Sequence, residues 1–165
     1  VVISNNSNSG AIERAKKEGI PYYHLSSVTH PDKDALDKAI LDALKKHNVD
    51  LVILAGFMKK LGHLVLEEYK NKVLNIHPAL LPRYGGEGMY GRFVHEAVLN
   101  AKEKITGVTI HIVNSEYDRG PIINQVEVKV LENDNVDSLA KRVLDIEHET
   151  YVNTIKMIED GKIRL

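Results

Sequence analysis

Apolar and polar positions fall into short blocks along this chain, and the period of the pattern switches between that of a strand and that of a helix. A β-branched run, Val1 to Ser4, leads into the Asn/Ser/Gly cluster Ser4–Gly10, which predicts a strand and then a loop. Ala11–Glu18 reads as a helix stopped by Gly19 and Pro21, and Tyr22–Leu25 as a second strand. From Pro31 to His47, Leu36, Ile40 and Leu44 with Ala39 and Ala43 form one stripe at helical spacing. Pro31 followed by Asp32 and Asp34 suits the start of that helix. Asp50–Ala55 is apolar after its first residue and ends at Gly56, the pattern of a strand buried on both faces.

A helical stretch through Leu64 and Tyr69 follows, then a strand, Val73–Ile76. His77–Gly91 is a long Pro- and Gly-rich loop, and such loops in compact domains are usually functional. Gly91–Lys102 predicts a helix, Thr106–Val113 a half-buried strand, Ser115–Pro121 a turn and Ile122–Val130 another strand. A long final helix runs from near Asn135 to Gly161. No internal repeat, low-complexity tract or linker interrupts the series. The pattern predicts one α/β domain over residues 1–165, with a Rossmann-like, open, mostly parallel sheet and helices on both faces. Its last strands are expected to include antiparallel ones. In such sheets ligands bind outside the carboxyl ends of the strands, which points to the loop after Val73–Ile76 and the turn after Thr106–Val113.

Composition narrows the function classes. Of 165 residues, 43% are hydrophobic and 27% charged, with a net charge of −1 and no basic block, so nucleic acid and membrane surfaces are not expected partners. No apolar run approaches the roughly 20 residues needed to cross a bilayer. Cysteine is absent, which excludes disulfides and thiolate chemistry and suits a cytoplasmic protein. None of the eight histidines forms an i, i+4 helical pair, so no metal site is expected.

Three places can carry chemistry. Asn75 and His77 sit two apart where a buried strand ends at Pro78, so alternation turns both side chains to one side. An amide donor beside an imidazole can stabilise one developing oxyanion; equally, the pair can be a capped strand end with a surface histidine. Asp118, in Glu116–Pro121, is either a turn aspartate satisfying backbone N–H groups or a carboxylate brought to His77. In the second case it would raise the imidazole by about one to two pKa units and keep it available as an acid. Glu147 falls on the apolar stripe Ala140, Val143, Glu147, Tyr151, where it either reaches water or accepts hydroxyl groups of a ligand. The Gly-rich stretch Gly85–Gly91 matches no phosphate-binding fingerprint and reads as a mobile loop over a site.

Taken in order, Leu54–Met58, Asn75-Ile-His-Pro-Ala-Leu-Leu-Pro82, Gly107–His111, Asp118–Ile123, Glu147-His148 and Asp160–Leu165 resemble the glycinamide ribonucleotide formyltransferases of the formyltransferase superfamily, over almost the whole chain. The resemblance implies transfer of a formyl group from 10-formyltetrahydrofolate, a co-substrate, to the amine of glycinamide ribonucleotide in purine biosynthesis. It implies a catalytic trio of Asn75, His77 and Asp118, a folate site at Lys33, Met58, Lys59, Lys60, Leu61 and Asn75, and substrate contacts at Glu147 and Pro78. His111 and His95 match positions near the site that support these residues, and a homodimer is compatible with the resemblance. Hydrolysis of 10-formyltetrahydrofolate and non-catalytic folate or nucleotide binding are the competing readings. One departure is large: Ala11–Pro21 matches the family's second βα unit, so its leading strand and phosphate-gripping helix start are expected to precede Val1.

Overall fold

Capping chemistry sets where the helices begin in the computed structural model, which describes residues 1–165. Ser9 accepts the Ile12 N–H at the start of α1 (Gly10–Lys17), and Asp32 accepts the Ala35 N–H at the start of α2 (Lys33–Lys46). The chain divides into two compact units, one of residues 1–52 and 59–70, the other of residues 53–58 and 71–165.

In the first unit β1 (Val2–Ser4) pairs in parallel with β2 (Tyr22–His24), Val2 opposite Tyr22. α1 lies against both strands through buried Ile12 and Ala15. The short α3 (His63–Glu68) has no cap of its own, since Gly62 precedes it. Asp37 of α2, only 4% exposed, supplies one from across the helix pair, accepting the N–H groups of Leu64 at 2.7 Å and Val65 at 3.4 Å. A Cβ at position 62 would lie 1.9 Å from the Asp37 carboxyl carbon, so only glycine fits there.

The second sheet runs in the order β3 (Val52–Leu54), β4 (Val73–His77), β5 (Ile105–Ile112), β6 (Ile122–Lys129). The class is the expected one, a mixed, Rossmann-like α/β arrangement of open sheets and helices rather than a barrel. The β4–β5 and β5–β6 ladders are antiparallel, so the antiparallel strands expected toward the C-terminus form most of the second unit's sheet. β3 departs from expectation: Val52 is buried, but Ile53 is 40% exposed. A continuous apolar run shows that a strand can be covered on both faces, not that it is.

Two helices cover one face of this sheet. Val98 of α4 (Arg92–Asn100) and Leu139 and Val143 of α5 (Val136–Glu159) close on Val108 and Val128. α5 starts with a capping box between Asn135 and Ser138. The buried Tyr151 hydroxyl on α5 is shared by the Leu54 and Leu74 carbonyls, 3.0 Å from each, which fixes α5 to the ends of β3 and β4.

The opposite face of β5 holds the chain leaving β4. The Thr109 hydroxyl donates to the Ala79 carbonyl at 2.6 Å and accepts from the Leu81 N–H and from Gln125 Nε2, which also donates to the Leu81 carbonyl. Every hydrogen-bonding site of that hydroxyl is filled, and the loop is held at Ala79–Leu81. Thr109→Val keeps the shape and removes these bonds. Its unfolding free energy should fall by about 2–3 kcal/mol. A lower urea midpoint at unchanged slope is the expected reading, and an unmoved midpoint would show that the loop is anchored elsewhere.

Candidate active site

β4 and β5 run opposite one another with Asn75 facing His111 and His77 facing Thr109. Directly opposed residues of a ladder share a face, so amide and both imidazoles stand together, as the two-residue spacing of Asn75 and His77 predicted. The β5–β6 pairing slips between Ile110 and His111. Such a bulge bends the strand and re-aims the side chain beside it. The chain then returns tightly: Ile112 N–H donates to the Pro121 carbonyl at 2.8 Å, and a Cβ at Gly120 would fall 1.7 Å from the Ile112 oxygen. That turn delivers Asp118, whose φ of 54° lies in the left-handed region. Such backbone costs a non-glycine residue on the order of 1–3 kcal/mol and persists only where its surroundings hold it.

They hold it well. One Asp118 oxygen lies 3.5 Å from His77 Nδ1 and accepts the Gly86 N–H at 2.9 Å; the other lies 3.5 Å from His111 Nε2. His111 Nδ1 donates to the Ile112 carbonyl at 3.0 Å, leaving Nε2 toward Asp118 and Asn75, whose amide nitrogen is 3.3 Å away. His77 Nε2 donates to the Tyr84 carbonyl at 2.7 Å. A carbonyl only accepts, so the neutral ring carries its proton on Nε2 and its lone pair on Nδ1.

Burial pushes the His77 imidazole down, and the Asp118 charge with the Tyr84 carbonyl pulls it part of the way back, the His111 charge adding to the lowering. The net direction is below the ordinary histidine value, a correction to the expected rise: an imidazole 3% exposed loses more from desolvation than its carboxylate neighbour returns. For Asp118 burial pushes up, but the His111 bond, the Gly86 N–H and the His77 charge outweigh it and hold the carboxyl below its usual range. His95 on α4 is also lowered, by burial and then by His77, and its Nδ1 has no partner.

These groups open onto a cavity of about 640 Å³ in the second unit. Asn75, His77, Pro78, Asp118, His95, Met58 and Glu147 all line it, at the carboxyl end of β4 as expected for an open α/β sheet. Glu147 has no hydrogen-bond or ion-pair partner, and burial pushes its carboxyl up to about 7. His111 stands behind the cavity, touching Asn75 and Asp118. Lys33, Lys59, Lys60 and Leu61 belong to the first unit and are not among the lining residues. No group of acidic and histidine side chains is arranged to hold a metal. Gly86–Gly91 do line the cavity, as expected of a loop over a site. The Tyr84 carbonyl and Gly86 N–H were not legible beforehand, because backbone atoms leave no mark on residue identity. Arg92 lines the cavity too, and its place at the helix start directly after that loop was the signal for it.

The chain as a whole is similar to known proteins. The family model described as formyl transferase matches residues 1–155. The chain is 40% identical to "Phosphoribosylglycinamide formyltransferase, chloroplastic" of Arabidopsis thaliana over 99% of its own length, and it spans 56% of that protein. It is 32% identical to "Phosphoribosylglycinamide formyltransferase" of Bacillus subtilis, covering 96% of this chain and 78% of that one. The crystal structure of glycinamide ribonucleotide transformylase 1 from Symbiobacterium toebii superposes with a TM-score of 0.90 at 35% identity, over 99% of this chain and 75% of that one. The chain belongs to the formyl transferase family.

Proposed function

We propose that this cavity transfers a formyl group from 10-formyltetrahydrofolate to the primary amine of glycinamide ribonucleotide. The observation that carries the reading is the Asp118 carboxylate 3.5 Å from His77, with the Asn75 amide on the same strand face and all three on one cavity. The names of the relatives support the transferred formyl group and the ribonucleotide acceptor. No helix is long and apolar enough to cross a membrane. The reading fits a cytoplasmic enzyme of purine biosynthesis.

In this reading the amine attacks the formyl carbon, forming the new C–N bond and an oxyanion. An Asn75 N–H stabilises that oxygen. The neutral His77 ring takes the proton the attacking amine sheds, and Asp118, ionised throughout, steadies the imidazolium. Collapse of the intermediate breaks the bond from the formyl carbon to N10, and His77 returns the proton to that nitrogen. Formyl-amine and tetrahydrofolate leave with the proton count unchanged. The lowered His77 pKa matters here, since a ring already charged could not receive the first proton. Glu147 accepts ribose hydroxyls, which gives this partnerless acid a use.

Formyl release from 10-formyltetrahydrofolate should require the ribonucleotide, and His77→Ala should lower kcat by about 10²–10⁴. Turnover indifferent to the amine would identify a hydrolase instead, and unchanged turnover in the variant would remove His77 from the chemistry. The acid limb of the kcat profile should report an apparent pKa below the ordinary histidine value of about 6.5. A limb well above it would mean that the charged ring is the working form.

Glu147 sets a second pH dependence. Its ionised form is the better acceptor, so KM for the ribonucleotide should fall from about pH 6 to about pH 8. Glu147→Gln should flatten that trend. The folded chain also holds this proton more tightly than the unfolded chain, so the associated stability is full below the usual carboxylate range and is lost as pH rises through about 7. A KM independent of pH in the unaltered chain would argue against the hydroxyl contact.

A further inference from the structure

The carbonyl that meets His77 belongs to a residue in costly backbone. Tyr84 has a φ of 56°, in the left-handed region that bulky side chains rarely adopt and that persists only where its surroundings hold it. Its carbonyl accepts from His77 Nε2 at 2.7 Å. Asp118, 3.5 Å from Nδ1, pulls the other way, since a carboxylate beside a neutral imidazole favours the tautomer that donates to it. The position of one backbone oxygen therefore decides which ring nitrogen keeps its lone pair.

The Tyr84 side chain is tied down at two places. Its ring packs against the apolar cluster of Val98, Val108, Val128, Leu139 and Val143, and its hydroxyl donates to Glu103 Oε1 at 2.8 Å. Glu103 is in turn placed by the end of α4. Its N–H donates to the Val98 carbonyl and the Lys102 N–H to the Leu99 carbonyl, with Lys102 at a φ of 54°, the pattern of a left-handed helix stop. Arg83 closes over the outside, its guanidinium bonding both Glu103 oxygens and lying 5.4 Å from the Tyr84 ring centre. The Arg83 pair is exposed and contributes little, whereas the Tyr84 bond is partly buried. Tyr84 first, and then Arg83, hold the Glu103 carboxyl below its usual range against the effect of burial, so the ionised acceptor faces the hydroxyl.

We propose that Glu103 is a positioning residue: through the Tyr84 hydroxyl it keeps the Tyr84 carbonyl on His77 Nε2, and so keeps the His77 lone pair on Nδ1. Its consequence for turnover rests on the formyl-transfer reading, in which that lone pair receives the amine proton. Neither Glu103 nor Tyr84 lines the cavity, so their loss is felt in the chemical step rather than in substrate binding.

Imidazole nitrogen NMR on histidine-labelled chain at about pH 8, where a lowered histidine is neutral, reads the tautomer directly. The His77 signals are assigned by their loss in His77→Ala. In the unaltered chain Nε2 should resonate as the protonated nitrogen and Nδ1 as the bare one. In Glu103→Ala, and in Tyr84→Phe, which keeps the packed ring, the two resonances should move toward each other as the proton is shared with Nδ1. Glu103→Gln still offers the hydroxyl an acceptor oxygen and should stay close to the unaltered chain. The double variant Glu103→Ala/Tyr84→Phe should go no further than either single one. In turnover kcat should fall about ten-fold in both single variants, with KM for both substrates unchanged. Resonances unmoved by Glu103→Ala or Tyr84→Phe would overturn the proposal. So would Glu103→Gln as disruptive as Glu103→Ala, by giving the effect to the Arg83 ion pair, or a double variant in which the two effects add. Moved resonances with unchanged turnover would uphold the positioning and remove His77 as the proton acceptor of the formyl-transfer reading.

Discussion

One carboxylate organises the site. Asp118 reaches two imidazoles and a backbone N–H, and its own ionisation depends on all three, because burial alone would push it toward the neutral acid. The dependence runs both ways. Without that negative charge, His77 would sit still lower, and a second proton on its ring would be favoured by the Tyr84 carbonyl alone. The aspartate is kept in left-handed backbone by a turn closed on Ile112 and a bulge at His111. The strand that supplies one imidazole thus also sets the geometry of the acid facing it.

The loop leaving β4 completes the set from the other side, and does so with backbone atoms. The Tyr84 carbonyl accepts a hydrogen bond from His77 Nε2, and two residues later the Gly86 N–H reaches Asp118. One short segment therefore fixes a tautomer and stabilises a charge at once. Thr109 and Gln125 hold the start of that segment at Ala79–Leu81 from the strand floor. Fold and site share these contacts, so a change in the sheet's buried hydroxyl reaches the chemistry without touching a lining side chain.

The sequence disclosed what depends on local period and left out what depends on how distant segments meet. The helix starts near Pro31 and Asn135, a strand beginning at Val73 and the common side of Asn75 and His77 follow from spacing and helix-start chemistry alone, although the strand runs one residue beyond the expected Ile76. Glu147 was legible as an anomaly on an apolar stripe, and the cavity and its raised carboxyl give the anomaly a reason. The meeting of Asp118 with His77 was an expectation that spacing could not decide, because it needs the bulge at His111 and the close return at Gly120. The direction of the His77 shift came out reversed, since a charge partner can be proposed from sequence while the depth of burial opposing it cannot. Ile53 failed for a related reason: an apolar residue states a preference for burial without showing that anything covers it.

For the proposed formyl transfer, the reversed shift also makes better chemical sense of the dyad. A permanently charged imidazolium next to Asp118 would be a stable ion pair, well suited to binding an oxyanion and poorly suited to accepting the proton that an attacking amine must lose. A buried ring that rests neutral can accept that proton only when the reaction supplies it, and the nearby carboxylate then stabilises the charge for as long as it lasts. As the oxyanion forms, its negative charge adds to that of Asp118 and favours the imidazolium at the moment it is needed. As the bond to the departing nitrogen breaks, the oxyanion disappears, burial again dominates, and the ring gives up its proton. Desolvation, which acts against a charged histidine in the resting site, then becomes the force that returns the proton to the leaving group.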